Sequence, residues 1–291
     1  MYYCIMDLEW NNSYSGKKVI NEVLEIGAVL VNTDLEIIDT FSAVVKSRFS
    51  DKVNGRIKQL THISTEEMRS GLTFKKAFDS FRVWIGPRDC IFLTWGMADI
   101  RVLSENFRLY TGSRRIPFLT QFCDLQYYCQ LHIVASGAQQ IGLSSAAEQM
   151  GVDTRDVEFH RALEDSLIAW ECLKKCHNRN ELLSQAVICD SAFYDKLGFK
   201  PRYLRSLSSV RDSLLQETCV CSECRKRMKR ISDWRAVNAS FRALFYCRDC
   251  DRVELFTVRY KEYYDRIEIK RCRKLLDGAK AVNVSKKEEK E

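Results

Sequence analysis

The sequence predicts an α/β domain followed by a small cysteine-bound module. Three observations carry this reading: β-rich runs open the chain, helical periods then alternate with an apolar strand, and two Cys-x-x-Cys pairs follow a basic stretch near residue 200. At 291 residues there is room for one large domain and one small one. Apolar residues make up 46% and charged residues 29%, which argues against a disordered or fibrous chain. No apolar run approaches the roughly 20 residues of a membrane span, and charges come too early at the N-terminus for a signal peptide. The expectation is a cytoplasmic protein with no membrane partner.

The elements follow in order. Tyr2 to Leu8 is short and apolar, gives way to Glu9, Asn11, Asn12, Ser13 and Gly16, and reads as a buried strand. Leu24 to Asn32 and Glu36 to Val45 are two further strands, joined by the polar connection Thr33-Asp34-Leu35 that suits a hairpin. Ser64 with Glu67 forms a capping box, and Phe74, Ala77, Phe78, Phe81 and Trp84 recur at helical spacing. Cys90 to Thr94 predicts a strand, Trp95-Gly96 a turn, and Ile100, Leu103 and Phe107 a helix from Ala98. Helices are expected over Phe122 to His132, Leu143 to Met150, about Arg161 to Cys176, and Glu181 to Leu197. The domain is expected to span 1–198, a basic linker 199–216, the cysteine module 217–270, and a disordered charged tail 271–291.

Two residues apart on the first strand, Asp7 and Glu9 leave one face of the sheet and could share a cation. Paired buried carboxylates repel and ask for such a cation, although Asp-x-Glu at a strand end also fits two solvent-facing side chains. His160 and Asp165 are five residues apart at the start of a helix. That spacing lets a histidine swing toward a reacting water while the aspartate stays on a rigid element. Asp99 opens the helix after the apolar strand Cys90 to Thr94, where sites in α/β sheets collect; it also suits a residue that stabilises the helix dipole. An all-oxygen acidic set selects a hard cation, Mg²⁺ or Mn²⁺.

Asp7-Leu8-Glu9, the segment Thr94 to Asp99, and His160 to Asp165 occur in the order of the three motifs of the DEDDh, DnaQ-like exonucleases, and residues 1 to about 180 resemble that family. Glu22-Val23-Leu24-Glu25-Ile26-Gly27-Ala28 resembles its second strand, and Leu60-Thr61-His62-Ile63 its Leu-Thr-Gly-Ile segment. The resemblance implies an RNase H-like mixed sheet flanked by helices, and 3′→5′ release of nucleoside 5′-monophosphates from single-stranded RNA or DNA with a free 3′ end. It implies two Mg²⁺ or Mn²⁺ ions on Asp7, Glu9, Asp99 and Asp165, with His160 as general base. Substrate contacts are then expected at Leu8, Trp10, Thr61, His62, Ile63, Trp95 and Arg161. Thr94-Trp95-Gly96, His160-Arg161-Ala162-Leu163 and the Trp after Glu9 look most like the histone-mRNA and small-RNA 3′ exoribonucleases and their bacterial relatives, which favours RNA. The sequence departs from the family at Trp10, where many members have Thr or Ala, and at His62, where Gly is common. A DNA exonuclease of the proofreading or repair type, and a silent nucleic-acid-binding protein with the same fold, are the alternatives.

Of thirteen cysteines, eight lie scattered among apolar neighbours and read as buried thiols. The others crowd together. Cys221-x-x-Cys224 and Cys247-x-x-Cys250, with 22 residues between the two pairs, predict a structural Zn²⁺ site, with Cys219 as an alternative ligand. Residues 201–291 also hold 23 Lys and Arg against 14 Asp and Glu. Cations between Arg225 and Arg252, interleaved with Trp234, Phe241, Phe245 and Tyr246, suit phosphate contact and base stacking; a fold-supporting or protein-docking ribbon is the rival.

Overall fold

A computed structural model describes residues 1–133, 140–154 and 160–276, in two compact units, 1–198 and 199 onward. In the first, β1 (Tyr2–Ser15), β2 (Lys18–Val31) and β3 (Ile37–Lys46) form an antiparallel meander. Short helices α1 (Gly55–Thr61) and α2 (Thr65–Ser70) lead to β4 (Leu72–Thr73) and α3 (Phe74–Ile85). Then come β5 (Cys90–Thr94), α4 (Ala98–Thr111), β6 (Gln121–Asp124), α5 (Leu125–Gln130), α6 (Leu143–Gln149), α7 (Ala162–Cys176), α8 (Arg179–Gln185), β7 (Val187–Ile188) and α9 (Ser191–Gly198). The sheet order β4-β3-β2-β1-β5-β6-β7 combines parallel β1–β5 and β5–β6 pairs with antiparallel ones, the mixed sheet expected.

Alternation along β1 divides the core into two layers. Cys4, Met6 and Leu8 face one side, against the aromatic rows of α3 and the Ile100–Leu103 stripe of α4. Tyr3 and Ile5 face the other, against Ile168, Ala169, Cys172 and Leu173 of α7. Continuing that second row past Ile5 gives Asp7 and then Glu9, so the row turns from apolar to acidic where β1 outruns β5, whose last partner on β1 is Ile5.

Several expected boundaries move. The polar residues after Glu9 continue β1 into a long hairpin, with Gly16 at φ +60° in a two-residue turn. Phe122 to Asp124 belongs to β6, and the helix starts only at Leu125, capped when Asp124 Oδ1 accepts the Tyr127 N–H at 3.0 Å. The helix expected over Glu181 to Leu197 is two helices separated by β7, which pairs with β6.

In the second unit β8 (Arg202–Tyr203), a 3-10 turn, α10 (Arg211–Gln216), β9 (Lys229–Arg230), β10 (Arg235–Val237), β11 (Ser240–Cys247), β12 (Arg252–Glu262) and β13 (Ile267–Leu276) surround one antiparallel sheet. The expected linker 199–216 is part of this unit: β8 pairs with β12, and Val210 and Leu214 are buried in its core. The expected tail is also shorter, because β13 pairs with β12 through Leu276. The rest of that tail, 277–291, lies outside the described residues. None of the described helices is long and apolar enough to cross a membrane.

Candidate active site

Three elements deliver the acidic residues. β1 contributes Asp7 and Glu9, α4 contributes Asp99 in its first turn, and α7 contributes Asp165 on the stripe that continues through Ile168, Ala169 and Cys172. Asp99 is tied to β1 directly, since its Oδ1 accepts the Leu8 N–H at 3.2 Å. Gly96, at φ +86°, makes the turn from β5 into α4 in a conformation that favours glycine.

The second strand sets the position of α7. Gly27 is the β2 partner of Asp7, and a Cβ there would lie 2.1 Å from the Ala162 carbonyl carbon. The helix start therefore rests on bare backbone, and Ser166 Oγ donates to Gly27 O at 3.2 Å. Two residues earlier, buried Glu25 accepts Arg161 Nε at 3.0 Å and Nη2 at 2.7 Å, and also the Ala162 N–H at 3.1 Å. This clamp fixes the first turn of α7 over the acidic end of β1. Within it, ligand atoms of Glu9, His160 and Asp165 all lie within 4.8 Å of one another. His160 is exposed and held at φ +74°, with its N–H donating to Asp165 Oδ1 at 3.3 Å. A bulky side chain in the left-handed region is strained, and such strain collects at functional sites.

Burial and repulsion raise the acids. Burial drives Asp7 well above the usual carboxylate range, reinforced by the charges of Asp99, Asp165, Glu9 and Glu25. Glu9 is pushed up to about 8, by burial and then by Asp165. Asp99 rises to about 7, chiefly by burial, and burial also raises Asp165. Such a group is stable only if protonated or if a cation offsets its charge. Arg161, the nearby cation, is already engaged with Glu25 and with Glu67 at 3.0 Å. The oxygen donors present therefore fit hard divalent cations.

The expected substrate contacts divide. Leu8, Thr61 and Ile63 are buried, so their side chains serve the core, and Thr61 Oγ1 accepts the Ile63 N–H at 3.2 Å. Trp10 packs partly against the α3 layer, and Trp95 donates Nε1 to Ile141 O at 3.1 Å. His62 alone of the segment 61–63 is exposed; it sits at φ +57° as the cap of α1, a conformation that favours glycine. Arg161 serves Glu25. Sequence reasoning assigned no role to Glu25 or Gly27, although a glutamate inside an apolar strand was a signal that a buried partner must exist.

A family profile of exonucleases, RNase_T, matches residues 5–173, more than half the chain and the whole acidic site. The chain belongs to the exonuclease family. The probable 3′-5′ exonuclease KapD of Bacillus subtilis (strain 168) is 25% identical over 184 residues, 62% of this chain and 87% of KapD. Among solved structures, the fold resembles the nuclease domain of 3′hExo, a DEDDh family member bound to rAMP, with TM-score 0.52 and 24% identity over 61% of this chain and 94% of that one. It also resembles a 3′-exonuclease described in 3′-end recognition of the histone mRNA stem-loop, with TM-score 0.51 and 21% identity over 65% and 71%. The exonuclease match stops before the second unit.

There the knuckles meet. Sulfurs of Cys221, Cys224, Cys247 and Cys250 lie within 4.8 Å of one another, with Cys224 and Cys247 3.5 Å apart. The Cys224 and Glu223 amides face the Cys221 sulfur and push its thiol down to about 7. Cys219 stands apart, its sulfur 3.9 Å from Met228 Sδ. Phe241 and Phe245 are buried and Trp234 packs beside them, so these rings fill the core and the stacking role expected of them falls away.

Proposed function

We propose that the first unit is a metal-dependent 3′→5′ exonuclease that releases nucleoside 5′-monophosphates from single-stranded nucleic acid, RNA in preference to DNA. The observation that carries this reading is the convergence of Asp7, Glu9, Asp99 and Asp165 from three elements, with raised proton affinity and the neighbouring Arg161 committed elsewhere. Asp7, Glu9 and Asp165 would hold one Mg²⁺ or Mn²⁺, and Asp7 and Asp99 a second. Bound there, the cations supply an activated water and stabilise the charge of the leaving oxygen. His160, within 4.8 Å of Glu9 and Asp165, takes the proton from the attacking water. Its exposure lets the imidazole pass that proton to solvent between turnovers. The 3′→5′ direction is supported by KapD, and the RNA preference by the neighbours bound to rAMP and described with histone mRNA. The second unit carries one structural Zn²⁺ on Cys221, Cys224, Cys247 and Cys250. None of the thirteen cysteines is paired in a disulfide, which supports a cytoplasmic setting.

The test is degradation of 3′-labelled and 5′-labelled single-stranded RNA and DNA of one sequence with Mg²⁺, Mn²⁺ or EDTA. Shortening from the 3′ end is expected, faster on RNA, and lost in EDTA and in Asp7→Asn. Internal cuts, shortening from the 5′ end, or full activity in Asp7→Asn would refute it.

A further inference from the structure

We infer that the open face of the second unit's sheet binds the phosphodiester backbone of single-stranded nucleic acid. It would be a second hold on the polymer class proposed for the active site, built from separate residues.

The register decides which side chains share this face, because directly paired residues of antiparallel strands point to the same side. Arg235 pairs with Arg242 across β10 and β11, and Arg242 with Thr257 across β12. Arg259 pairs with Lys270, and Leu255 with Lys274, across β12 and β13. Tyr246, beside Val253, completes the face. The opposite face carries Phe241, Phe245, Phe256, Val258 and Tyr260 into the core.

Two features point to an anionic polymer. Arg259 opposes Lys270, and like charges set directly across a ladder weaken a sheet unless an anion lies between them. Moreover, among the described residues Arg242, Arg259, Lys270 and Lys274 form no ion pair, and the buried Nε of Arg242 has no hydrogen-bond partner. Several cations elsewhere in the unit are paired: Arg271 meets Glu217 at 2.7 Å, Arg202 meets Glu262 at 2.6 Å, and Arg252 meets Glu223 at 3.1 Å. On this face Arg242, Arg259, Lys270 and Lys274 leave their charge uncompensated among the described residues. Between the cations lie Tyr246, Val253 and Leu255, an apolar strip that unpaired bases could cover and a duplex, offering only phosphates, could not.

The experiment measures binding of a fluorescent 20-nucleotide oligouridylate to the full-length, zinc-loaded chain with no Mg²⁺ or Mn²⁺ added and no chelator, so that the strand stays intact and the second unit keeps its zinc. In Arg259→Ser/Lys270→Ser/Lys274→Ser, all three side chains being exposed, affinity at 100 mM NaCl should fall at least tenfold. The slope of log K against log salt should shrink by about 2, at roughly 0.7 per lost phosphate contact. Lys75→Ser/Lys76→Ser/Arg82→Ser, with the same change of charge on α3, should bind as the parent does. Unchanged affinity and slope in the first variant, equal loss in the second, or tighter binding of a duplex of equal length would overturn the assignment. If the parent fails to degrade any strand in Mg²⁺ while the first variant still loses binding, the catalytic reading falls and the surface stands. Degradation with unaltered binding means the reverse.

Discussion

Gly27 is the residue on which the acidic site is expected to depend most without supplying a ligand. A Cβ at this position would lie 2.1 Å from Ala162 C and 2.2 Å from Leu163 N, both backbone atoms that no rotamer change can move. Restoring ordinary contact requires the start of α7 to retreat by more than 1 Å, which carries Asp165 and His160 away from Asp7 and Glu9. Overpacking of this kind costs about 1–3 kcal/mol of stability. A displacement near 1 Å in a catalytic constellation costs on the order of 100-fold in rate, or about 2.7 kcal/mol of transition-state stabilisation. The assay is initial rate on a 3′-labelled oligonucleotide at saturating Mg²⁺, with a Mg²⁺ titration and a thermal melt of the same preparation. Gly27→Ala should fold, melt lower, require more Mg²⁺ and turn over about 100-fold more slowly. A folded Gly27→Ala protein within threefold of the parent in kcat and in metal requirement would refute the close-approach reasoning.

Arg161→Ala leaves Glu25 buried without its partner and should cost roughly 3–5 kcal/mol in urea unfolding, with Arg161→Lys recovering only part because an ammonium lacks the two-pronged geometry; a loss below about 1 kcal/mol would contradict the clamp. In EDTA the raised Glu9 and Asp99 should make the first unit less stable as pH rises. A carboxyl whose affinity for its proton increases on folding, here from 4.5 to about 8 and from 3.8 to about 7, stabilises the fold below its ordinary pKa and loses that contribution through the higher value. The melting temperature should therefore decline between pH 5 and pH 9, and Mg²⁺ should raise it more at pH 8.5 than at pH 5.5; a Mg²⁺ increment independent of pH would count against the cation site. Cys224→Ser should abolish stoichiometric zinc in metal analysis, while Cys219→Ser keeps it. Equal loss from both would return Cys219 to the ligand set.

The acidic positions were legible because each sits where a local signal is strong: Asp7 and Glu9 end an apolar run, Asp99 opens a helix after a strand, and Asp165 begins a long periodic segment. What holds them together was not. Glu25 and Arg161 are 136 residues apart, and only the packed chain shows that one clamps the other. β6 was hidden because it has four residues and runs straight into α5, so Phe122, Cys123, Leu125, Tyr128 and Cys129 pass for one helical stripe. Residues 199–216 looked like a linker because their composition is basic and mixed, while the contribution of Val210 and Leu214 depends on a sheet formed later in the chain. The aromatic residues of the cysteine unit were misplaced for a related reason. Composition places rings near cations, but strand alternation sends Phe241 and Phe245 inward and leaves Arg242 and Tyr246 on the other side.

The central place of β1 also dictates where the chain can change length. Loss or gain of one residue between Tyr2 and Met6 would turn both acids under the phenylalanine layer of α3 and bring Met6 and Leu8 beneath α7. Past the irregularity at Glu9 and Trp10 the hairpin runs on without β5, with Asn11 and Ser13 still buried, and the restriction ends only at the turn of Gly16 and Lys17, flanked by exposed Tyr14 and Val19. An inserted epitope or fluorophore-bearing loop belongs at that tip, where it leaves the parity of the strand untouched.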